Sequence, residues 1–522
     1  MTTKSASLWK ETLLPILLLL VAAIGLFDAF YLTKEHFSGV IPPCSISFFA
    51  DCGSVLRSPY ATPFGIPLAL IGLIHYAIEF FVLLAALVTN KRIVIRTLFF
   101  LTAVGAVASM YFVFLQVAII QALCLYCMLS ALASFVLYFL VRMYFSAEYK
   151  LFGIDKLKNQ YKYFFKPLLF ALPPEFVHEN ALFMGNLSSK LPFVKSYLSF
   201  FFRHDVPSVK QTVSKMQFRH PVGLSAGYDY HADLPDVLPS IGFGFASLGT
   251  FSRYASEGNP SPRLGRLPKS QSLMVNKGFR NPGIEKLVKK LAGKEFEIPI
   301  GISIGVTNNP EIKTIEQAQE DLISAFKIAQ TGNLKHSYYE LNISCPNLRT
   351  KVSLYDPAPL KQILTAVTKL KLTKPLFIKM PIDRSDAEFK AMLKVIVSFP
   401  VTGVIIGNLQ KNRKDPALDQ TEVAQWKKGN FSGKPTFKRS NELIALTYKT
   451  YGKKLVIIGC GGVFSAEDAY IKIKNGASLV QLITGMIFQG PQLMAEISLG
   501  LAALLKKDGY KNIAAAVGTD IK

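Results

Sequence analysis

The stretch YYELNISCPNLR, residues 338–349, decides the fold. It opens with the bulky residues of a buried strand and breaks into Asn, Ser, Cys and Pro. A strand ending in such a loop collects amide donors and acceptors, plus a thiol able to act as a base, at one edge of a sheet. Seven more runs beyond His220 share this form: VGLSAG, FGFASLGT, IPIGISIG, LFIKM, VTGVIIGN, KLVIIGCGG and ASLVQLITG. Helical stretches alternate with them, and most end in Gly, Asn, Ser or Thr. Eight such units predict an α/β TIM (β/α)8 barrel with its site at the strand C-termini.

The barrel leaves the first two-fifths of the chain unexplained. At 522 residues there is room for two or more domains. Half of the residues are hydrophobic, 18% are charged and the mean hydropathy is +0.30, too apolar for a disordered chain. Four apolar segments open the sequence, at about 13–32, 64–88, 98–119 and 122–144. Each reaches the roughly 20 residues a helix needs to cross a bilayer, which predicts an all-α four-helix membrane bundle. The first is too long, and lacks the cleavage site, to read as a signal peptide.

Basic residues set the expected orientation. Lys4 and Lys10 precede the first span, Lys91, Arg92 and Arg96 separate the second from the third, and the chain from Arg142 onward is lysine-rich. Both ends then face the cytoplasm, and residues 33–63 lie outside together with the connection before Cys124. The expectation is a multi-pass protein of the inner (cytoplasmic) membrane, with a cytoplasmic barrel and outward cysteines. The net charge of +24 comes without zinc-finger spacing, RNP-type motif or Lys/Arg-dense block. It is read as attraction to an anionic lipid bilayer, with no nucleic-acid partner. Between bundle and barrel, YKYFFKPLLFAL and VKSYLSFFFRH have the pattern of short amphipathic helices lying on a bilayer. The predicted domains are therefore 1–147, an amphipathic helical segment at 148–208, and 209–522.

Four of the six cysteines, Cys44, Cys52, Cys124 and Cys127, fall in the first quarter. Buried packing or one structural disulfide is one reading of them; redox exchange is the other. A C-x-x-C pair at a helix N-terminus has its first thiol near the positive end of the dipole, which favours the thiolate. A second pair on a loop can pass a disulfide to it. Asp28, His75 and Glu79 are ionisable residues inside spans, read either as interhelical hydrogen-bonding groups or as functional ones. No metal site is read from them.

About residues 10–145 resemble the vitamin K epoxide reductase family. The resemblance rests on loop cysteines eight apart in PPCSISFFADCGSVLRSPYATPFGIP, on Ser58 within it, and on C-L-Y-C opening the last helix. It implies that Cys124 and Cys127 are a quinone-side redox pair and that Cys44 and Cys52 relay electrons from an outside thiol protein of thioredoxin-like type. Quinone, a lipid-soluble oxidant, is then a co-substrate.

From about residue 160 the chain resembles the dihydroorotate dehydrogenases. NISCPN matches the family motif, and GLSAGYD, SLGT, PRLGRL, VNKGFRNPG, IKM, IGN, FSGKP, IIGCGG and LVQLITGMIFQGP fall in family order. The resemblance implies FMN, with its phosphate held by Gly433, Gly461, Gly462, Thr484 and Gly485, where barrels commonly bind phosphate. Ala226, Gly227, Thr250, Asn342 and Lys379 complete the cofactor set; a lysine in an apolar strand is costly as mere core. Asn276, Asn342, Asn347 and Asn408 would hydrogen-bond dihydroorotate, and Cys345 stands at the base position. A thiol with a reference pKa of about 8.5 needs less help than a hydroxyl to take a proton. Cys460 is expected to pack within its strand.

Three departures stand out. Cysteine at the base position is typical of the soluble class, whereas KPLLFALPPEFVHENAL resembles the amphipathic quinone entry of the membrane class. Tyr230 replaces a family lysine, and VNKGF is one residue short. The leading expectation is dihydroorotate oxidation with quinone as acceptor, joined to a quinone-reducing thiol oxidoreductase. The alternative is an FMN oxidoreductase on another substrate, with the bundle acting only as an anchor.

Overall fold

The computed structural model describes residues 12–44, 51–349 and 352–521. Lys4 and Lys10, and the loop stretch 45–50, lie outside the described residues. The chain divides into two compact units, Met1–Asp155 and Lys156–Lys522.

The first unit contains α1 (Leu14–Ser38), α2 (Leu68–Thr89), α3 (Arg92–Phe114) and α4 (Leu125–Tyr144). All four are long and apolar enough to cross a membrane, α3 when counted with its π-helical continuation to Ile120. α1 runs past the expected end at residue 32, where the Thr33 hydroxyl donates to the Ala29 carbonyl and stays inside the helix. α3 starts at Arg92 rather than 98, because Arg92 and Arg96 are held by Glu148 at 3.3 and 3.0 Å. Phe27, Phe81, Phe100 and Phe139 point outward, as lipid-facing residues do, while Leu18, Ala22, Leu83, Leu98 and Leu137 pack inside. Small residues bring the helices together: a Cβ on Gly25 would strike the Tyr76 ring, and one on Gly105 would lie 2.7 Å from His75 Nε2.

In the second unit all eight expected runs are strands: β1 (Val222–Leu224), β2 (Phe245–Phe251), β3 (Ile300–Ile304), β4 (Tyr338–Asn342), β5 (Leu376–Met380), β6 (Gly403–Ile406), β7 (Val456–Cys460) and β8 (Leu479–Leu482). They pair in chain order, all parallel, and β8 closes on β1. The interior is filled by rings that need bare neighbours. Gly223 is in register with Phe245, Gly301 with Tyr338 and Gly403 with Phe377. A hairpin, Gln211–Val213 with Met216–Phe218, packs Val213 and Phe218 against the same rings.

Residues 161–202, expected as amphipathic helices, contain helices at Lys166–Ala171, Pro174–Ser189 (α5) and Pro192–Phe202. They belong to the barrel unit. Tyr161 donates to the Ile487 carbonyl at 2.6 Å, and Arg263 lies 3.5 Å from Glu175. Tyr163, Phe164, Leu168, Phe183, Phe193 and Tyr197 stay exposed, an apolar surface suited to a bilayer. Gly223→Ala places a Cβ 2.6 Å from the Phe245 ring and should cost about 1–3 kcal/mol, read as a lowered thermal midpoint of the barrel.

Candidate functional site

Parallel closure places the strand C-termini around one cavity of about 240 Å³. Lys379, one residue before the end of β5, is in register with Asn342 of β4, and Glu340 is in register with Ser303 of β3. The resulting chain of contacts is almost wholly buried. Lys379 Nζ donates to Ser225 Oγ at 2.9 Å and stands 3.7 Å from Glu340 Oε1. Glu340 accepts from Ser303 Oγ at 2.9 Å, Ser303 meets Thr250 Oγ1 at 2.9 Å, and Asn342 Nδ2 donates to that oxygen at 2.9 Å. A cation, an amide and two hydroxyls thus sit fixed in a largely apolar pocket.

Elsewhere around the cavity the backbone lies bare. Gly433, Gly461 and Gly462 have φ of 81°, 97° and 72°, and a Cβ on Gly485 would strike the Val463 carbonyl. Thr484 Oγ1 lies 2.8 Å from Ser432 Oγ, and Thr436 Oγ1 donates to the Gly433 carbonyl at 2.7 Å. Gly433, Gly461 and Gly462 thus bring bare backbone, flanked by hydroxyls, to the cavity, and the nearness of Gln271, Thr436 and Phe437 leaves no room there for a Cβ. Bare backbone beside hydroxyls is what a phosphate needs.

The expected cofactor residues Ala226, Gly227, Thr250, Asn342 and Lys379 all line this cavity, as do the five expected phosphate residues. Cys345, Asn347 and Asn408 line it too. Asn408 Nδ2 donates to Ser344 Oγ at 2.6 Å, and Ser344 Oγ in turn to Asn342 Oδ1 at 3.1 Å. Asn276 is not among the lining residues; its Oδ1 accepts from Asn259 Nδ2 at 3.0 Å, which also donates to the Asn347 carbonyl at 2.8 Å. Asn430 completes this web with a 2.7 Å bond to Asn347 Oδ1. Cys460, expected as packing, lines the cavity and lies 3.6 Å from Ser225 Oγ. Burial pushes the Cys345 thiol up to about 11, against the pull of Lys379 and Lys411. The neighbourhood therefore removes the ease of ionisation expected of a free thiol.

Helix α5 contributes Pro174, Val177, His178 and Ala181 to the same cavity. His178 Nε2 lies 2.8 Å from the Tyr228 carbonyl, which only accepts, so Nε2 carries the proton and Nδ1 accepts from Lys277 Nζ at 2.6 Å. Lys277 stands 4.3 Å over the Tyr230 ring. Burial, with Arg280 nearby, lowers Lys277 to about 7, and burial with Lys277 holds His178 well below the usual imidazole range. Sequence reasoning passed over this pair because residues 178 and 277 meet only in the folded chain.

The helical unit has its own site. Cys44 and Cys52 form a disulfide with Cα atoms 5.8 Å apart, and Cys124 and Cys127 are free thiols. Asp51 caps the short helix Cys52–Leu56 through Gly53 and Ser54, and Gln116 Oε1 accepts from the Cys124 amide at 2.8 Å. These contacts fix Cys124 Sγ 3.2 Å from Cys52 Sγ. Cys127 instead lines a cavity of about 460 Å³ between the helices, together with Ser58, Tyr76 and Ser130.

Residues 208–505 match the family model described as Dihydroorotate dehydrogenase, and residues 16–142 match the Vitamin K epoxide reductase family. A protein of Trichormus variabilis named dihydroorotate dehydrogenase (quinone) is 34% identical over 381 residues, covering 69% of this chain and 99% of the relative. One of the same name from Gloeobacter violaceus is 34% identical over 356 residues, covering 68% and 97%. A crystal structure of DHODH from Eimeria tenella in complex with ferulenol aligns with TM-score 0.58 and 25% identity, over 68% of this chain and 98% of that one. The chain belongs to the dihydroorotate dehydrogenase family, and carries a vitamin K epoxide reductase family domain fused ahead of the barrel.

The 3.2 Å sulfur contact places Cys124 within thiol–disulfide exchange distance of Cys52. Cys127→Ser should therefore accumulate a Cys52–Cys124 mixed disulfide, seen by peptide mass spectrometry without reductant, and Cys124→Ser should not.

Proposed function

We propose that the barrel oxidises dihydroorotate to orotate, with FMN bound at the cavity and a membrane quinone as final acceptor. The observation that carries this reading is the convergence of thirteen expected cofactor, substrate and base positions, drawn from seven of the eight strand ends and the FSGKP loop, on one pocket. Gly433, Gly461, Gly462, Thr484 and Gly485 would hold the phosphate, and Lys379 would face the electron-rich ring. FMN, when bound, supplies the acceptor for the hydride leaving carbon 6 and for onward transfer of two electrons.

Within this scheme Cys345 takes the proton from carbon 5. Asn342, Asn347 and Asn408, already oriented by Thr250, Asn430 and Ser344, orient the pyrimidine and its carboxylate; Asn276 acts behind them through Asn259. Quinone as acceptor is supported by the names of the relatives and by α5, whose exposed apolar face is continuous with residues that line the cavity. The fixed tautomer of His178 gives Lys277 a neutral partner at that entrance.

In the helical domain the reading is a thiol oxidoreductase. A reduced thioredoxin-like protein gives two electrons to Cys44–Cys52, the disulfide of Cys124–Cys127 accepts them, and quinone reoxidises the pair beside Cys127. Positive charge at Arg92, Arg96 and Arg142 supports a cytoplasmic barrel with the cysteines on the outer side of the inner membrane.

Purified protein under anaerobic conditions should reduce a short-chain quinone analogue when given dihydroorotate, and should not use fumarate or NAD at a comparable rate. Preference for fumarate or NAD would overturn the acceptor. Because the thiol titrates at about 11, kcat/KM for dihydroorotate should rise about tenfold per pH unit from pH 7 to 9, the thiolate fraction growing tenfold at each step. Cys345→Ala should cost about 10²–10⁴-fold in kcat.

A further inference from the structure

The cavity beside Cys127 holds titratable groups that the thiol relay does not use. Asp28 of α1 lines it, is 7% exposed, and neither carboxylate oxygen has a hydrogen-bond partner. His75 of α2 lines it as well, with Nε2 unpartnered and 3.9 Å from Glu79 Oε2, itself unbonded and buried. Interhelical hydrogen bonding would account for such residues if each had a partner on another helix. Among the described residues none does, while Tyr76, a neighbour of His75, spends its hydroxyl on the Ser130 carbonyl and Ser134 Oγ at 2.7 Å each.

The packing keeps these groups available. Gly105 leaves room for the imidazole, since a Cβ there would sit 2.7 Å from Nε2. Glu35 and His36 line the same cavity two turns farther along α1, about 10 Å from Asp28 by helix rise, and Arg57 lines it from the loop. Asp28 and His75 are thus the ionisable groups that the middle of the spans presents to the cavity, where Cys127 presents a sulfur.

We propose that Asp28 and His75 form the proton-transfer site of this cavity, moving protons from the Cys124–Cys127 dithiol to a quinone held there; this rests on the thiol:quinone reading above. The step balances without a further reactant. Two S–H bonds break and one S–S bond forms; two electrons reduce the quinone, and the two thiol protons become its two O–H groups. Asp28 and His75 carry those protons across the cavity, and Glu79 stabilises the imidazolium form of His75. An unpaired carboxylate is suited to this because no competing hydrogen bond must break before it accepts or gives a proton.

The test uses the full chain in lipid nanodiscs, with dithiothreitol as donor, a short-chain ubiquinone analogue as acceptor and no dihydroorotate. Asp28→Asn should lower kcat at least about tenfold while the quinone KM stays within about threefold. Asp28→Glu should recover most of the rate, and the rate at which dithiothreitol reduces Cys44–Cys52 should be unchanged in both. His75→Gln should also lower kcat, with an enlarged solvent deuterium isotope effect. Wild-type turnover in Asp28→Asn, a loss confined to KM, or an Asp28→Glu variant no better than Asn would overturn the assignment. A wild-type protein that fails to reduce the quinone with dithiothreitol, or a Cys127→Ser variant as fast as wild type, would instead overturn the thiol:quinone reading beneath it.

Discussion

The parallel register of the barrel is the constraint on which the rest depends. It sets Asn342 beside Lys379 and Ser303 beside Glu340, so a lysine and a glutamate share an interior where neither could stand alone. A buried charge of this kind needs a partner; removing one member typically costs about 3–5 kcal/mol. Ser225, Ser303 and Thr250 bond Lys379, Glu340 Oε1 and Asn342, while Glu340 Oε2 has no hydrogen-bond partner among the described residues. A one-residue slip would turn every one of these side chains away from the cavity. The rings lower in the barrel guard against that slip, because Phe245, Tyr338 and Phe377 fit only beside Gly223, Gly301 and Gly403.

The helical domain meets a related difficulty with opposite means. It too buries ionisable groups, yet Asp28, His75 and Glu79 have almost no hydrogen bonds to offset their burial. An aspartate at the centre of a membrane helix costs about 2.5–3.5 kcal/mol on insertion scales. Such a cost is carried for a reason other than cohesion, since Gly25 and Gly105 already let the helices pack closely. The barrel holds its cavity-lining Asn342, Asn408 and Lys379 in hydrogen bonds that fix their orientation; the bundle leaves both Asp28 oxygens and His75 Nε2 without one.

Much of this was legible in the sequence where one residue type forces one outcome. The barrel strands could be read because each hydrophobic run stops at a polar or glycine residue, and the spans because their apolar runs exceed what a soluble helix needs. The helix ends were harder, since Thr33 and the Arg92–Glu148 pair extend α1 and α3 beyond the apolar core. The site was legible where a motif is local, as in NISCPN and IIGCGG. It was not where contacts join distant positions: Asn276 turned to Asn259, Cys460 reached Ser225, and His178 met Lys277. The raised Cys345 pKa was equally hidden, because it arises from burial by residues far away in the chain.

On the proposed reading, the bare backbone at Gly433 and at Gly461–Gly462 receives a phosphate, and that group decides what the cavity binds. Equilibrium titration of the flavin-stripped protein with FMN and with riboflavin, followed by flavin fluorescence, addresses this most directly. Saturable binding of one FMN per chain, at least about tenfold tighter than riboflavin, is the predicted result, since charge-assisted bonds to a phosphate contribute about 1.5–3 kcal/mol each. Equal affinity for the two flavins, or no saturable binding of FMN, would contradict it.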